Sequence, residues 1–153
     1  MAYVCNASDL HPVEPENDLN KYADDTYLLA HSSNSHTVPI ELEHISEWAR
    51  TNNLMLNSSK SMEMIIHRPR TKLENLSVPP PSLGVTRVTS MKILGVTITD
   101  TLSFEPHVTN VLARCAQTGH ALRILRAHGL NGPALWNVAR ATLISKLIYA
   151  SLA

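Results

Sequence analysis

The sequence predicts an α+β fold, with residues 1–104 carrying most of the strands and residues 105–153 forming a helical segment. Two observations carry this prediction. Short runs of β-prone residues, bounded by polar turn residues, occur at 19–30 and 86–99. After residue 105, apolar residues instead recur at helical spacing. With 153 residues and a hydrophobic fraction of 44%, the chain is large enough for a packed core.

The first predicted element is a β-hairpin. Leu19–Ala30 contains two short β-prone runs, and the polar pair Asp24-Asp25 separates them. Adjacent aspartates suit a turn because their side chains can hydrogen-bond to the nearby backbone. We therefore expect Asp24 and Asp25 to lie at the tip of the hairpin.

A helix is predicted next, after a loop rich in serine and asparagine. Thr37 can cap this helix, Pro39 suits its first turn, and Asn52-Asn53 can close it. Glu41 and Glu43 lie near the positive end of the helix dipole. The apolar positions recur at helical spacing: Leu42, Ile45 and Ala49, with Trp48 beside them.

A strand, a linker and a second hairpin follow. The strand is predicted from alternating apolar residues, which are Met62, Met64 and Ile66. The linker at 67–86 contains Pro79-Pro80-Pro81, which a central strand cannot accommodate. Two further β-prone runs, Thr86–Ile93 and Val96–Thr99, flank Leu94-Gly95 and predict a hairpin that turns there.

Two helices are predicted in the last third of the chain. Pro106 opens the first and Gly129 marks its end, while the second follows Gly132-Pro133. The positions expected to face inward share an apolar character and a helical spacing: Val108, Val111, Leu112, Cys115, Leu122 and Leu125, then Leu135, Val138, Leu143, Leu147 and Ile148.

The net charge is zero, but its distribution is uneven. Residues 1–30 contain six acids and one base, whereas residues 106–153 contain five bases and no acid. An acidic head and a basic tail suit a protein that holds cations at one end and phosphates at the other. Ordinary solvated helix faces would give the same pattern. The five bases are candidates for contact with a nucleic-acid backbone: Arg114, Arg123, Arg126, Arg140 and Lys146.

Several classes of protein are not indicated by the sequence. The first residues have no basic and apolar segments of a secretory signal. No apolar run approaches the roughly 18–20 residues of a membrane span. Cys5 and Cys115 lack the spacing of a zinc site, and Cys115 is expected to be a buried apolar residue. We expect a soluble, intracellular protein of the nucleus or cytoplasm, with no membrane partner.

The aspartate pair has a chemical reason to bind a divalent cation. Like charges about 4 Å apart repel by roughly 4 kcal/mol at an effective dielectric near 20, and a bound cation removes that penalty. Mg²⁺, with Mn²⁺ as a substitute, binds one or two carboxylates and completes its octahedron with water and phosphates. A bare Asp-Asp pair is more commonly a surface turn, so its surroundings decide between the two interpretations.

Those surroundings resemble a known family. Lys21–Leu29 looks like the YxDD box of reverse transcriptases, in the form used by non-LTR (LINE-type) retrotransposons. Four further segments resemble, in order, the lead-in to that box, the following helix with its LN..K element, the LGV hairpin called the primer grip, and a helical segment beyond the palm: Ser8–Val13, Trp48–Ser61, Lys92–Val96 and Pro133–Ala150. The resemblance implies part of a polymerase palm, followed by a thumb-like or connecting helical segment.

The resemblance also implies roles for individual residues. Asp24 corresponds to a catalytic metal ligand, and Asp25 to a neighbouring, less critical carboxylate. Tyr22 and Ala23 correspond to residues near the primer terminus and the new base pair. Lys60 matches a lysine that approaches the triphosphate, where an ammonium could donate a proton or offset charge; a solvated turn lysine is the alternative.

Leu94 and Gly95 correspond to the turn of the primer grip. Gly95 could permit a close approach to the backbone, or it could be an ordinary hairpin glycine. The family's substrates are an RNA template, a DNA primer and dNTPs, and two metal ions catalyse its nucleotidyl transfer.

The family also has parts that this sequence does not match. Its third catalytic aspartate, its nucleotide-selecting helix and its fingers have no counterpart upstream of Tyr22. We therefore expect a fragment that needs the missing N-terminal palm and fingers as partners and cannot polymerise alone. Two other hypotheses remain open: a non-catalytic nucleic-acid-binding remnant, and a domesticated interaction module with no role in nucleic-acid chemistry.

Overall fold

The computed structural model describes residues 8–71, 78–82 and 84–149. Cys5 and Ala150, both singled out in the sequence, lie outside these residues. The chain forms two compact units, one from Met1–Glu63 with Lys72–Val88 and one from Met64–Thr71 with Thr89–Ala153. Both strands and helices are present, as the α+β prediction requires. The predicted boundary at residue 104 separates strands from helices. In the structure, the hairpin at Ser90–Thr99 lies in the same unit as the C-terminal helices, so this boundary does not separate the two units.

The first unit begins with an antiparallel hairpin, in which Asp18 pairs with Leu29 and Tyr22 with Asp25. A short parallel pair joins Met62 to Thr86 and Glu63 to Arg87. The elements in chain order are β1 (Asp18–Tyr22), β2 (Asp25–Leu29), a 3₁₀ segment (Ser32–Thr37), α1 (Val38–Thr51), a second 3₁₀ segment (Ser58–Lys60), β3 (Met62–Glu63) and β4 (Thr86–Arg87).

Helix α1 confirms the predicted helix and the positions of its ends. Thr37 is the N-cap residue and Pro39 lies in the first turn. The capping role predicted for the Thr37 side chain was wrong, because its hydroxyl makes no cap bond and instead donates to the Asn34 carbonyl at 2.8 Å. The chain leaves the helix at Asn52, and Asn53 takes a left-handed backbone conformation with φ of 55°. Ile45 and Ala49 are buried as expected, so the apolar stripe of α1 forms the core of this unit.

Glu41 is the unexpected residue of α1. Its side chain is 1% exposed, although its place in the first turn suggested only an interaction with the helix dipole. Its carboxylate accepts hydrogen bonds from the backbone N–H groups of Val13 and Glu14, each at 2.9 Å, and from the Asn17 side-chain amide at 3.0 Å. Glu41 therefore fixes the segment that leads into β1.

The hydrogen bonds also set the protonation of Glu41. Burial alone would raise the pKa of its carboxyl group. The bonds from the Glu14 N–H, the Asn17 amide and the Val13 N–H, with the nearby His44, outweigh burial and hold the pKa below its ordinary value of 4.5. The ionised form of Glu41 is thus the form that the fold stabilises.

Two predicted strands are shorter in the structure than in the sequence pattern. The strand expected over Met62–Ile66 ends at Glu63, and the run Thr86–Ile93 splits into β4 and a separate strand in the second unit. Charged side chains take part in the first pairing, since Arg87 Nε donates to Glu63 Oε1 at 2.7 Å. The chain leaves β4 at Val88, whose N–H donates to the Glu63 carbonyl.

The second unit combines a hairpin with helices. Ser90 pairs with Thr99 and Ile93 with Val96 in an antiparallel register. The elements are β5 (Ser90–Ile93), β6 (Val96–Thr99), α2 (Glu105–Ala127) and α3 (Gly132–Ala139), which continues through a π-helical segment (Arg140–Ile144) into α4 (Ser145–Ile148). The predicted ends are confirmed: α2 has a proline in its first turn, and Gly129 follows its end with φ of 96°.

The predicted inward faces of these helices are confirmed only in part. Cys115 is buried, as expected of a small apolar residue. A hairpin and one helix pair cover only one side of a 23-residue helix, so other apolar residues of these helices stay in solvent. The prediction of burial was wrong for these residues: Val108, Leu112, Leu125, Leu147 and Ile148. Over the described ranges, no helix is long and apolar enough to cross a membrane.

Candidate metal-binding turn and basic helices

The motif Tyr22-Ala23-Asp24-Asp25 forms a tight turn between β1 and β2. Tyr22 pairs with Asp25, so Ala23 and Asp24 are the two residues of the loop and Asp25 begins β2. The predicted tip, Asp24-Asp25, was therefore wrong by one residue. Ala23 has a positive φ of 52° and Asp24 does not, the pattern of φ angles in a type II′ hairpin turn. Such a conformation costs a non-glycine residue on the order of 1 kcal/mol or more, and strain of this kind is concentrated at functional sites.

The turn presents its carboxylates to solvent. Both Asp24 and Asp25 are exposed, and Tyr22 is 64% exposed beside them. Tyr27 Oη donates a hydrogen bond to Asp25 Oδ2 at 3.2 Å. Within the described part of the chain, no hydrogen bond reaches the Asp24 carboxylate. Asp24 is therefore the more available of the two ligands.

The segment before β1 is attached to the hairpin and to α1. Lys21 Nζ donates to the carbonyl of the buried Leu10 at 2.6 Å. Trp48 Nε1 donates to Asp9 Oδ1 at 3.2 Å, and the Trp48 side chain is half-buried. Together with Glu41, these contacts give the YADD turn a fixed base.

The number of carboxylates in the turn and their exposure decide which kind of metal ion they could bind. No group of three or more His, Cys, Asp or Glu side chains converges anywhere in residues 8–71, 78–82 and 84–149. Two adjacent, exposed carboxylates fit an ion that takes one or two protein ligands and completes its shell with water and phosphate oxygens. Asp24 and Asp25 are the residues that would hold Mg²⁺ or Mn²⁺ in such a shared site.

Lys60 lies at the end of the second 3₁₀ segment and is exposed. Its N–H donates to the Asn57 carbonyl at 3.0 Å. Among the residues that the structure describes, no hydrogen bond or ion pair joins Lys60 to Asp24 or Asp25. A role for Lys60 at the triphosphate thus stays a prediction from the resemblance.

The Leu94-Gly95 turn has two features that favour glycine at the second position. Leu94 and Gly95 have φ of 46° and 88°, as a type I′ turn requires at both loop residues. A Cβ atom on Gly95 would also lie 2.9 Å from Tyr149 Oη. Gly95 is therefore a hairpin glycine, and the group that approaches its backbone is the Tyr149 side chain. A contact of this turn with a primer stays a prediction from the resemblance.

The five bases of the last third are all exposed, but they do not form a single strip. Arg114 and Arg123 are nine residues apart on α2, which places them on opposite sides at about 100° per residue. Arg123 and Arg126 are neighbours at i and i+3. Arg140 begins the π-helical segment, and Lys146 Nζ donates to Thr118 Oγ1 at 3.1 Å. Contact of these bases with a nucleic-acid backbone stays a prediction.

Sequence reasoning assigned Glu41 only an interaction with the helix dipole and predicted no contact for Tyr149. The partners of Glu41 are up to 28 residues away, and Tyr149 binds a residue 55 positions away. A local pattern carries no signal for contacts of this range.

No protein-family model, curated protein or solved structure matches this chain. The functional argument therefore depends on the motifs and on the geometry of these residues.

Proposed function

We propose that this chain carries the metal-binding turn of an RNA-directed DNA polymerase, a reverse transcriptase of the LINE type. One observation carries the proposal: Tyr22-Ala23-Asp24-Asp25 forms a two-residue hairpin turn whose carboxylates lie in solvent. The order of the other motifs supports it. The first hairpin, α1 and the second hairpin would then be elements of a palm, and α2 with α3 would be thumb-like or connecting helices.

The chain's own residues have simple tasks in this proposal. Asp24 is the principal ligand of Mg²⁺ or Mn²⁺, and Asp25 is the neighbouring one. A divalent cation bound there would polarise phosphate oxygens and offset the charge of the reacting triphosphate. Tyr22, exposed beside the turn, is available to contact a primer terminus or base. The small side chain of Ala23 leaves room for such a contact.

The test is incorporation of dNTPs on an RNA template with a DNA primer. It is run on the polypeptide from the complete reading frame that contains residues 1–153. Asp24→Asn is expected to lower incorporation by at least about 100-fold, because it removes a ligand that acts on the developing charge. Asp18→Asn, the same charge change on an exposed residue at the other end of the hairpin, is expected to keep normal incorporation. Normal extension by Asp24→Asn would contradict the proposal.

A second candidate function is favoured by the charge distribution. Residues 106–153 contain five bases and no acid, and all five bases are exposed. A non-catalytic chain could use them to bind RNA or DNA. Binding that weakens with salt, without dNTP incorporation by the wild-type protein, would favour this remnant over a polymerase. A chain with neither activity would fit the domesticated interaction module.

A further inference from the structure

The Leu94-Gly95 turn is held by a residue from the far end of the described chain. Tyr149 Oη donates a hydrogen bond to the Leu94 carbonyl oxygen at 2.6 Å. A loop carbonyl in a two-residue turn has no partner in its own ladder, so this phenol satisfies an acceptor that the hairpin leaves open. The bond joins the hairpin to the end of α4.

The same phenol packs against the backbone of Gly95. A Cβ atom at that position would lie 2.9 Å from Tyr149 Oη and 3.1 Å from a ring carbon. The positive-φ glycines Gly84, Gly129 and Gly132 have nothing within 4 Å of such an atom. The close contact at Gly95 is therefore specific to this turn and is not a general property of the chain's glycines.

The other contacts of α4 fix where Tyr149 can reach. The Tyr149 N–H donates to the Ser145 carbonyl at 3.1 Å, so the residue directly continues the last helical turn. Lys146 Nζ donates to Thr118 Oγ1 and ties that turn to α2. On the hairpin, the Thr97 N–H donates to His107 Nδ1 at 3.3 Å, which ties β6 to the start of α2. The Tyr149 phenol thus connects the β5–β6 hairpin to α4, and both of these elements are also bonded to α2.

We infer that Tyr149 is a positioning residue that sets the orientation of the Leu94-Gly95 turn. The inference rests on the proposed function and on the resemblance of this turn to the primer grip, which implies contact with the primer strand. Loss of the hydroxyl frees the Leu94 carbonyl and lets the turn rotate, while no charge changes and no group that touches nucleic acid is removed. The effect is then on the fit of the primer, not on electrostatic attraction.

The experiment uses amide NMR signals of Leu94 and Gly95 in the polypeptide from the complete reading frame that contains residues 1–153, with and without an RNA–DNA hybrid. Tyr149→Phe is expected to shift both signals in the free protein and to weaken hybrid binding about 3- to 10-fold, the loss of one hydrogen bond. The slope of affinity against salt concentration is expected to stay the same, because phosphate neutralisation is unaltered. Ser145→Ala, which removes a hydroxyl from the same helical turn without touching the hairpin, is expected to bind like wild type.

The outcomes separate this inference from the proposed function. If the wild-type chain shows no hybrid-dependent change at Leu94 or Gly95, the primer contact is absent and the proposed role of the turn fails with it. If the wild type shows those changes and Tyr149→Phe shows the same changes and affinity, the positioning role alone is overturned. An equal loss of affinity in Ser145→Ala would also overturn it, since a general loosening of α4 would then explain the result.

Discussion

Replacing Glu41 with glutamine is expected to lower the free energy of unfolding of the first unit by about 3 kcal/mol, which is a large part of a typical domain's stability. The carboxylate is 1% exposed and accepts three hydrogen bonds with its two oxygens. Glutamine keeps one oxygen and points an NH₂ group at a backbone N–H of Val13 or Glu14. Two donors then face each other in a buried site, and one stays unsatisfied.

The measurement is unfolding in urea, monitored through hydrogen exchange of the α1 amides. These amides report on the first unit alone. Glu43→Gln is the matched control, because Glu43 is exposed on the same helix and carries the same charge. We expect that control to stay within about 0.5 kcal/mol of wild type. Equal free energies of unfolding for Glu41→Gln and Glu43→Gln would show that the Glu41 contacts do not stabilise the unit.

The contribution of Glu41 also has a defined dependence on pH. The folded-state pKa of this carboxyl group lies below its ordinary value of 4.5. The added stability is therefore present above that value and is lost as the pH falls through the lower folded-state pKa. The difference between wild type and Glu41→Gln is expected to be constant near neutral pH, to begin to shrink as the pH approaches 4.5 and to fall further below that value. A difference that shrinks already near neutral pH would contradict the assignment.

Gly95→Ala is expected to cost about 2 kcal/mol, compared with about 1 kcal/mol for Gly129→Ala. Both glycines have a left-handed φ, 88° and 96°, so both substitutions carry the same backbone penalty. At Gly95 the new methyl group also meets Tyr149 Oη. The Tyr149 ring is 56% exposed and can swing away, but it then loses its bond to Leu94.

The excess cost at Gly95 is measured by thermal unfolding of four proteins: wild type, Gly95→Ala, Tyr149→Ala and the double variant. If the methyl group acts through the phenol, Gly95→Ala is expected to cost only the backbone penalty in the Tyr149→Ala background. Gly129→Ala supplies that penalty independently, since its surroundings are open. A cost at Gly95 that is the same in both backgrounds would contradict the contact.

Both hairpins were predictable because their information is local. Each turn has two β-prone runs around a two-residue loop. Gly95 suits the positive φ of its loop position, whereas Ala23 and Leu94 adopt a positive φ that their residue types do not predict. The ends of α1 and α2 were predictable for the same reason, since prolines, Asn52-Asn53 and Gly129 act within one turn of a helix.

The remaining features depend on contacts between distant residues. The burial of Glu41 needs the N–H groups of Val13 and Glu14, which no helical pattern specifies. The division of Thr86–Ile93 between two units depends on which partner strand each half finds. The apolar patterns of α2 and α4 predicted that these segments are helical. They did not predict which apolar side chains stay exposed, because that depends on how much of each helix the rest of the unit covers.

The YADD turn depends partly on local sequence and partly on contacts between distant residues. Its turn and its carboxylates follow from Tyr22-Ala23-Asp24-Asp25 alone, whereas its fixed base depends on the distant contacts of Lys21, Trp48 and Glu41. The sequence motif therefore predicts the hairpin turn, whereas the contacts that hold the turn are seen only in the structure.

The central claim is that the YADD turn binds a divalent cation through Asp24. The most direct measurement is paramagnetic broadening of amide NMR signals as Mn²⁺ is added to the 153-residue chain. We expect broadening at about millimolar Mn²⁺ that is strongest from Tyr22 to Thr26, lost in Asp24→Asn and retained in Asp18→Asn. Broadening spread evenly over the exposed acids, or broadening of the turn that persists in Asp24→Asn, would contradict the claim.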